Sequence, residues 1–279
     1  MTTAKTRWLG VLGWPVEHSR SPQIHTAALE ATGIDAVYLP LAVPPAELAS
    51  AVSGLRALGA LGANVTLPHK ERVMEHLDAI EPAALAIGAV NTIVREGDRL
   101  IGANTDGDGL ARSLSEGGVS LEGARALVIG AGGAARASVR GLLDAGVRSI
   151  TIAARRIEQA SEIVAARDGL AAIALDDARA LEDAARSCDL LVQATSATLG
   201  DRDPTFAASL PLAALPEHAT VIDLVYSPRE TAVLRAAAAR GLRTVDGLGM
   251  LVWQAALAFE RWHGVAAPIE VMRRAALAV

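Results

Sequence analysis

Strand-length apolar runs alternate with segments of helical period along most of this chain, and that alternation demands an α/β fold with mainly parallel sheets. In the second half, ALVIGAGG, SITIAA, AIALDD, DLLVQAT, TVIDLVYS and RTVDG read as strands with alanine-rich helices between them. Such a succession is the pattern of a doubly wound sheet. The first third carries its own series, RWLGVLGW, AVYLPLAV and GANVT, with helices over about 22–32 and 45–58 and another starting near His69. The stretch AVNTIVREGDRLIGANTDG reads as two short strands around a Gly-Asp turn. From Met250 the chain is helical again, and Gly264 is placed to cap that helix. The gap between the two series puts a domain boundary near residue 107.

The chain has 279 residues, 51% of them hydrophobic, enough for two domains with separate cores. Its formal net charge is −5, with no basic block or stripe, which argues against nucleic acid or an anionic membrane as a partner. No apolar run approaches the roughly 20 residues that span a bilayer, and the opening MTTAKTRWLG lacks the apolar core of a signal peptide. A single cysteine, Cys188, excludes an internal disulfide and fits a reducing compartment, so the cytoplasm is expected. Of the 26 basic side chains only two are lysines, Lys5 and Lys70. Lysine can release and recover a proton where arginine cannot. Composition alone leaves open whether Lys70 is retained for that reason or by chance.

Gly130-Ala131-Gly132-Gly133-Ala134-Ala135 follows the strand ALVI and opens a helix. It fits the G-x-G-x-x-G/A turn in the context that motif requires. The glycines permit a tight turn and close approach of the backbone to a pyrophosphate, and the helix N-terminus offers N–H groups to the phosphates. At the end of the next strand an NAD site usually carries an acid. Here the strand ends in Arg155-Arg156, with no acid before Glu158. Two guanidiniums suit a 2′-phosphate, so NADP is expected.

Four further clusters mix glycine with small polar residues in loops after strands: VLGWPVEHSRSP, GANVTLPHKE, GAVNT with ANTDG, and DGLGMLVWQAALAF. Singly, Ser19, Ser21, Asn64, Thr66 and Asn91 read as caps or turn residues, and Gln254 as a core amide. Together the clusters resemble the shikimate dehydrogenase family over nearly the whole chain. The resemblance rests on Ser19 and Ser21 in HSRSP, on Asn64, Thr66, Pro68 and Lys70 in NVTLPHK, and on Asn91 and Asp106 in GAVNT and NTDG. GAGGAAR and the run from Asp246 to Ala256, with Gln254, complete it.

This resemblance implies NADPH-dependent reduction of 3-dehydroshikimate to shikimate, a step of aromatic amino acid biosynthesis. Lys70 would supply the proton and Asp106 would orient it. Ser19, Ser21, Thr66, Asn91, Asp106, Tyr226 and Gln254 would bind the substrate. Gly130, Ala131, Gly132, Gly133, Ala134, Arg155, Arg156, Thr195 and Gly247 would hold NADP, and no metal is implied. His18 and His69 flank these motifs and read as structural. A discontinuous substrate domain, 1–106 with 247–279, would enclose a Rossmann domain over 107–246, with the active site in the cleft between them. Monomer and homodimer both stay open.

The sequence departs from the family at two places. Relatives commonly have Asn-Arg-Thr after the second Rossmann strand and a further arginine, where this chain has Ala154-Arg155-Arg156 and Gln159. Their Asn-Ala-Thr-Ser reads Gln193-Ala-Thr195-Ser196 here. The competing readings are an enzyme of the same scaffold acting on quinate or an amino analogue, and a non-catalytic NADPH sensor. The missing acid at the second strand speaks against the first, and the intact Lys70 and Asp106 against the second.

Overall fold

The computed structural model describes residues 2–165, 169–201, 203 and 205–278. The chain forms two compact units, residues 1–109 with 252–279 and residues 110–251. The divisions fall inside two helices, four and ten in chain order.

The first unit contains β1 (Arg7–Gly13), α1 (Ser21–Thr32), β2 (Ala36–Ala42), α2 (Leu48–Ala57), β3 (Gly62–Val65), β4 (Ala79–Ile80), α3 (Pro82–Ile87), β5 (Thr92–Glu96) and β6 (Arg99–Ala103). The helix α4 (Asp106–Glu116) then begins. The six strands form one sheet in the order β2-β1-β3-β5-β6-β4. β1 pairs parallel with β2 and β3, but β5 runs antiparallel to both β3 and β6. The sheet is therefore mixed, because the Gly-Asp turn makes a hairpin, with Gly97 at φ 62 where a left-handed residue is needed. The helix expected near His69 is reduced to a 3-10 turn over Arg72–His76. Lys70 offers its carbonyl to the Val90 N–H at 2.8 Å, which takes that residue out of any helical ladder.

The second unit contains β7 (Arg125–Ile129), α5 (Gly133–Asp144), β8 (Ser149–Ala154), α6 (Ile157–Val164), β9 (Leu170–Ala174), α7 (Ala178–Arg186), β10 (Leu190–Gln193), α8 (Phe206–Ser209), β11 (Thr220–Asp223), α9 (Ala232–Ala239) and β12 (Arg243–Val245). Its sheet is wholly parallel in the order β12-β11-β10-β7-β8-β9. That is the doubly wound dinucleotide order, with the reversal between β7 and β10. Strand alternation builds a core on each face: Ala126 and Val128 of β7 join one buried cluster, Leu127 and Ile129 the other. β9 stops at Ala174, short of the two aspartates, because Asp177 caps α7 by accepting the Ala180 N–H at 3.0 Å.

The chain closes with α10 (Leu248–His263) and α11 (Ile269–Leu277). The α10 helix ends at Gly264, φ 66, whose N–H reaches the Glu260 carbonyl. Among the described residues no helix is long and apolar enough to cross a membrane.

Candidate active site

In the first unit Lys70, Asn91 and Gln254, three of the polar residues singled out by sequence, gather around the Asp106 carboxylate. Asp106 opens α4, and its own N–H is held by the Asn104 side chain at 2.9 Å. Asn104 in turn donates to the Ala89 carbonyl at 2.9 Å, which ties the start of the helix to the loop before β5. Lys70 Nζ donates to Asp106 Oδ2 at 2.5 Å. Side-chain exposure is 17% for Lys70 and 5% for Asp106, so one partner lines the surface of the pair while the other is buried. Asn91 Nδ2 donates to Asp106 Oδ1 at 2.7 Å and to Thr105 Oγ1 at 2.9 Å, and lies 3.4 Å from Gln254 Oε1.

Gln254 reaches this cluster from α10. A methyl group on Gly109 would meet the Gln254 backbone nitrogen at 2.8 Å, so only glycine lets α4 lie this close to α10. Thr105 Oγ1 donates to the Gln254 carbonyl at 3.0 Å, fastening the two segments. Thr66 follows β3, and its methyl would lie 2.5 Å from any Cβ placed on Gly13. The loop after β1 and the loop after β3 thus pack against each other. Ser19 accepts the N–H of Ser21 at 3.3 Å, and Ser21 is buried at the start of α1. His69 is fully buried and binds the Val43 carbonyl through Nε2 at 2.7 Å, which gives it a structural place.

Behind the cluster lies a second layer, in which Asn64 and Thr92 come from the motifs and Tyr38 and His25 do not. Tyr38 donates to Asn64 Oδ1 at 2.6 Å, and Asn64 faces the Asn91 carbonyl and Thr92. Burial pushes the Tyr38 phenol upward, with the neighbouring Ser21 hydroxyl opposing. His25 stacks on Tyr38 with ring centroids 4.3 Å apart and lies close to Trp262. Desolvation lowers its pKa to about 3, and the charge of His263 adds to the effect. The Asn64 amide opposes this slightly, without reaching hydrogen-bond geometry with either ring nitrogen. Thr92 and Thr105 lie inside GAVNT and ANTDG, but only their neighbours Asn91 and Asp106 are singled out there as site residues. Tyr38 and His25 lie in ordinary strand and helix patterns that carry no signal.

In the second unit the glycine turn stands at the C-terminal edge of the sheet, where β7 and β10 diverge. Gly130 has φ 113, and a Cβ there would lie 2.9 Å from the Thr195 methyl. Gly132 is the N-cap of α5 and has open space where a Cβ would be; no side chain caps the helix. Ala131 is buried beneath the turn, and Ala134 continues the first turn of the helix. Arg155 and Arg156 are both exposed at the end of β8, and Arg156 precedes α6 as its N-cap. These features fit a dinucleotide: a backbone cradle that side chains would obstruct, a bare helix N-terminus, and two cations at the neighbouring strand end.

Thr195 is held by the residue that departs from the family pattern. Gln193 Oε1 accepts the Thr195 N–H at 2.5 Å, while Nε2 donates to Thr198 at 2.9 Å and to Asp223 at 3.2 Å. Burial raises the Asp223 pKa, against hydrogen bonds from the Val225 N–H, Thr231, Thr198 and Gln193. Gly247 sits against the Leu224 carbonyl so closely that no side chain would fit. Tyr226 lies half-buried just past β11.

A doubly wound sheet with an open glycine turn at its switch point, accompanied by a lysine–carboxylate pair in a second α/β unit, defines the class: an α/β oxidoreductase. Family models describing the shikimate dehydrogenase substrate binding domain, shikimate / quinate 5-dehydrogenase and the shikimate 5'-dehydrogenase C-terminal domain match residues 11–93, 109–232 and 247–277. The chain belongs to the shikimate dehydrogenase family. It is 46% identical to shikimate dehydrogenase (NADP(+)) of Geobacter metallireducens, over 99% of this chain and 98% of that one. The corresponding Symbiobacterium thermophilum protein is 48% identical over 98% of this chain and 94% of its own. Shikimate 5-dehydrogenase of Thermus thermophilus, solved in complex with NADP(H) and shikimate, superposes with a TM-score of 0.87 at 40% identity, covering 98% and 99% of the two chains.

Proposed function

We propose that this protein catalyses the reversible NADPH-dependent reduction of 3-dehydroshikimate to shikimate. The observation that carries the chemistry is the 2.5 Å contact between Lys70 Nζ and the buried Asp106 carboxylate. Reducing a ketone to an alcohol adds a hydride to carbon and a proton to oxygen. NADPH supplies the hydride when bound. Lys70 Nζ donates the proton to the substrate oxygen and recovers it in the reverse direction, while Asp106 orients the ammonium and stabilises its charge. Ser19, Ser21, Thr66, Asn91, Asp106 and Gln254 supply short hydrogen-bonding groups for the ring hydroxyls and carboxylate, and Tyr226 serves the carboxylate. The substrate domain is assigned to the first unit and the NADP domain to the second, so the boundaries expected at 106/107 and 246/247 lie at 109/110 and 251/252.

The coenzyme is held by Gly130, Ala131, Gly132, Gly133 and Ala134 at the pyrophosphate, by Arg155 and Arg156 at the 2′-phosphate, and by Thr195 and Gly247. The open turn and the bare α5 N-terminus support this placement. With its modest net charge and one buried cysteine, the protein belongs in the cytoplasm, as a monomer or homodimer without nucleic acid or membrane partners.

The test is a reduction assay with purified protein, pairing dehydroshikimate and dehydroquinate with each coenzyme. Dehydroshikimate with NADPH should be the most efficient pair. Lys70→Ala should lower kcat by about 10²–10⁴-fold, the scale of a lost general acid, and leave the NADPH Kd unchanged. A Lys70→Ala enzyme keeping more than about a third of wild-type kcat would remove Lys70 from the acid role.

A further inference from the structure

The hydrogen bonds behind Asp106 form a chain whose direction is fixed by groups that can only donate or only accept. A carboxylate accepts, so the Asn91 atom 2.7 Å from Asp106 Oδ1 must be the amide nitrogen. At the other end of that amide, the Thr105 backbone N–H donates at 2.8 Å to Asn91 Oδ1. Asn64 is fixed the same way: its nitrogen faces the Asn91 backbone carbonyl at 3.2 Å, which leaves its oxygen to the Tyr38 hydroxyl. Thr92 Oγ1 lies between the two amides, 3.3 Å from Asn64 Nδ2 and 2.8 Å from Asn91 Oδ1. It therefore accepts from Asn64 and gives its single proton to Asn91. Every donor from Tyr38 through Asn64, Thr92 and Asn91 points towards Asp106. All five residues are buried, and Thr92 is 0% exposed. In so dry a setting aligned hydrogen bonds polarise one another, and an unmade one is costly.

We infer that Thr92 is a positioning residue: its hydroxyl couples the Tyr38–Asn64 layer to Asn91 and so holds the Asp106 carboxylate in register with Lys70. The inference rests on the Lys70–Asp106 reading given above. Thr92 Oγ1 bonds to the side chains of Asn64 and Asn91 rather than to Lys70 or Asp106, so its effect passes through the Asn91 amide. Without the hydroxyl, Asn91 Oδ1 keeps the Thr105 N–H but loses the proton from Thr92, and the amide is freer to turn away from Asp106.

The experiment compares Thr92→Val, which is nearly isosteric, with Thr92→Ser and Tyr38→Phe, in steady-state assays of the full-length protein. Thr92→Val should lower kcat about tenfold, the scale of one buried hydrogen bond lost with its partners left unpaired, while KM for NADPH stays at the wild-type value. Thr92→Ser restores the hydroxyl and should recover most of kcat. Tyr38→Phe, two links further back, should lower kcat less than Thr92→Val does. If Thr92→Val lowers the melting temperature but keeps wild-type kcat, Thr92 is only a core residue and the inference fails. Equal loss in Thr92→Val and Thr92→Ser also overturns it, because the hydroxyl would then be irrelevant. Should Thr92→Val fail to fold, Thr92→Ser and Tyr38→Phe carry the test, and wild-type kcat in Tyr38→Phe together with a Thr92→Ser enzyme as poor as Lys70→Ala refutes the chain. Lys70→Ala run in parallel separates the two claims: an active Lys70→Ala enzyme sinks the dyad itself, whereas an inactive one beside an unimpaired Thr92→Val sinks only the positioning role.

Discussion

Replacing His25 with phenylalanine should flatten the acid side of the stability curve. His25 is 1% exposed, stacked on Tyr38 and beside the tilted Trp262 ring, with a folded-state pKa of about 3 against 6.5 for an ordinary histidine. Its folded pKa is depressed, so the unfolded chain binds the proton first. The stability contributed by keeping the ring neutral is full above pH 6.5 and is lost as pH falls towards 3. Within that window the loss is about 1.4 kcal/mol per pH unit, which gives about 2 kcal/mol between pH 7.5 and pH 5. For a chain of this size that corresponds to roughly 3–4 °C in Tm. Phenylalanine keeps the stacked ring and cannot take a proton. The assay is thermal unfolding of wild type and His25→Phe at both pH values, so that any packing penalty of the larger ring cancels in the difference. His263, whose pKa burial and the charge of Arg7 also lower, contributes to both proteins alike. Wild type should lose those additional degrees on acidification; equal losses in the two proteins would refute the account of a buried neutral histidine.

Two other outcomes are expected. Arg155→Ala should remove most of an at least about tenfold NADPH-over-NADH preference in kcat/KM, since a charge-assisted phosphate contact is worth about 1.5–3 kcal/mol. NADH kinetics should hardly change, and equal efficiency of the wild type with both coenzymes would discard the clamp. Gly62→Ala should destabilise the first unit by about 3 kcal/mol or abolish soluble expression, as a Cβ there would collide with the Ile93 carbonyl and the Trp262 ring that donates to it at 2.9 Å. A chemical denaturation midpoint within error of wild type would show that β3 can shift to make room.

Much of the second unit was legible along the chain because its rules are local. A strand, a glycine turn and a helix follow one another within Arg125–Asp144, and the absence of an acid after β8 needs only a glance at Arg155 and Arg156. The motif residues of the first unit were legible too, as short contiguous runs. What those runs did not contain is their pairing. Lys70 and Asp106 stand 36 positions apart, and Asn91 and Gln254 stand 163 apart. They meet because β3, β5 and β6 adopt one particular antiparallel register and α4 packs on α10 at Gly109.

Periodicity determined that the chain is α/β and where the glycine turn lies, since both follow from interactions between near neighbours. Tertiary structure alone decided that the first sheet is mixed, that His25 is kept dry, and which way each amide behind Asp106 points. Strand register and burial are properties of the packed chain: a hydrogen bond acquires its direction only when a donor-only group and an acceptor-only group, distant in sequence, close on the same amide from opposite ends.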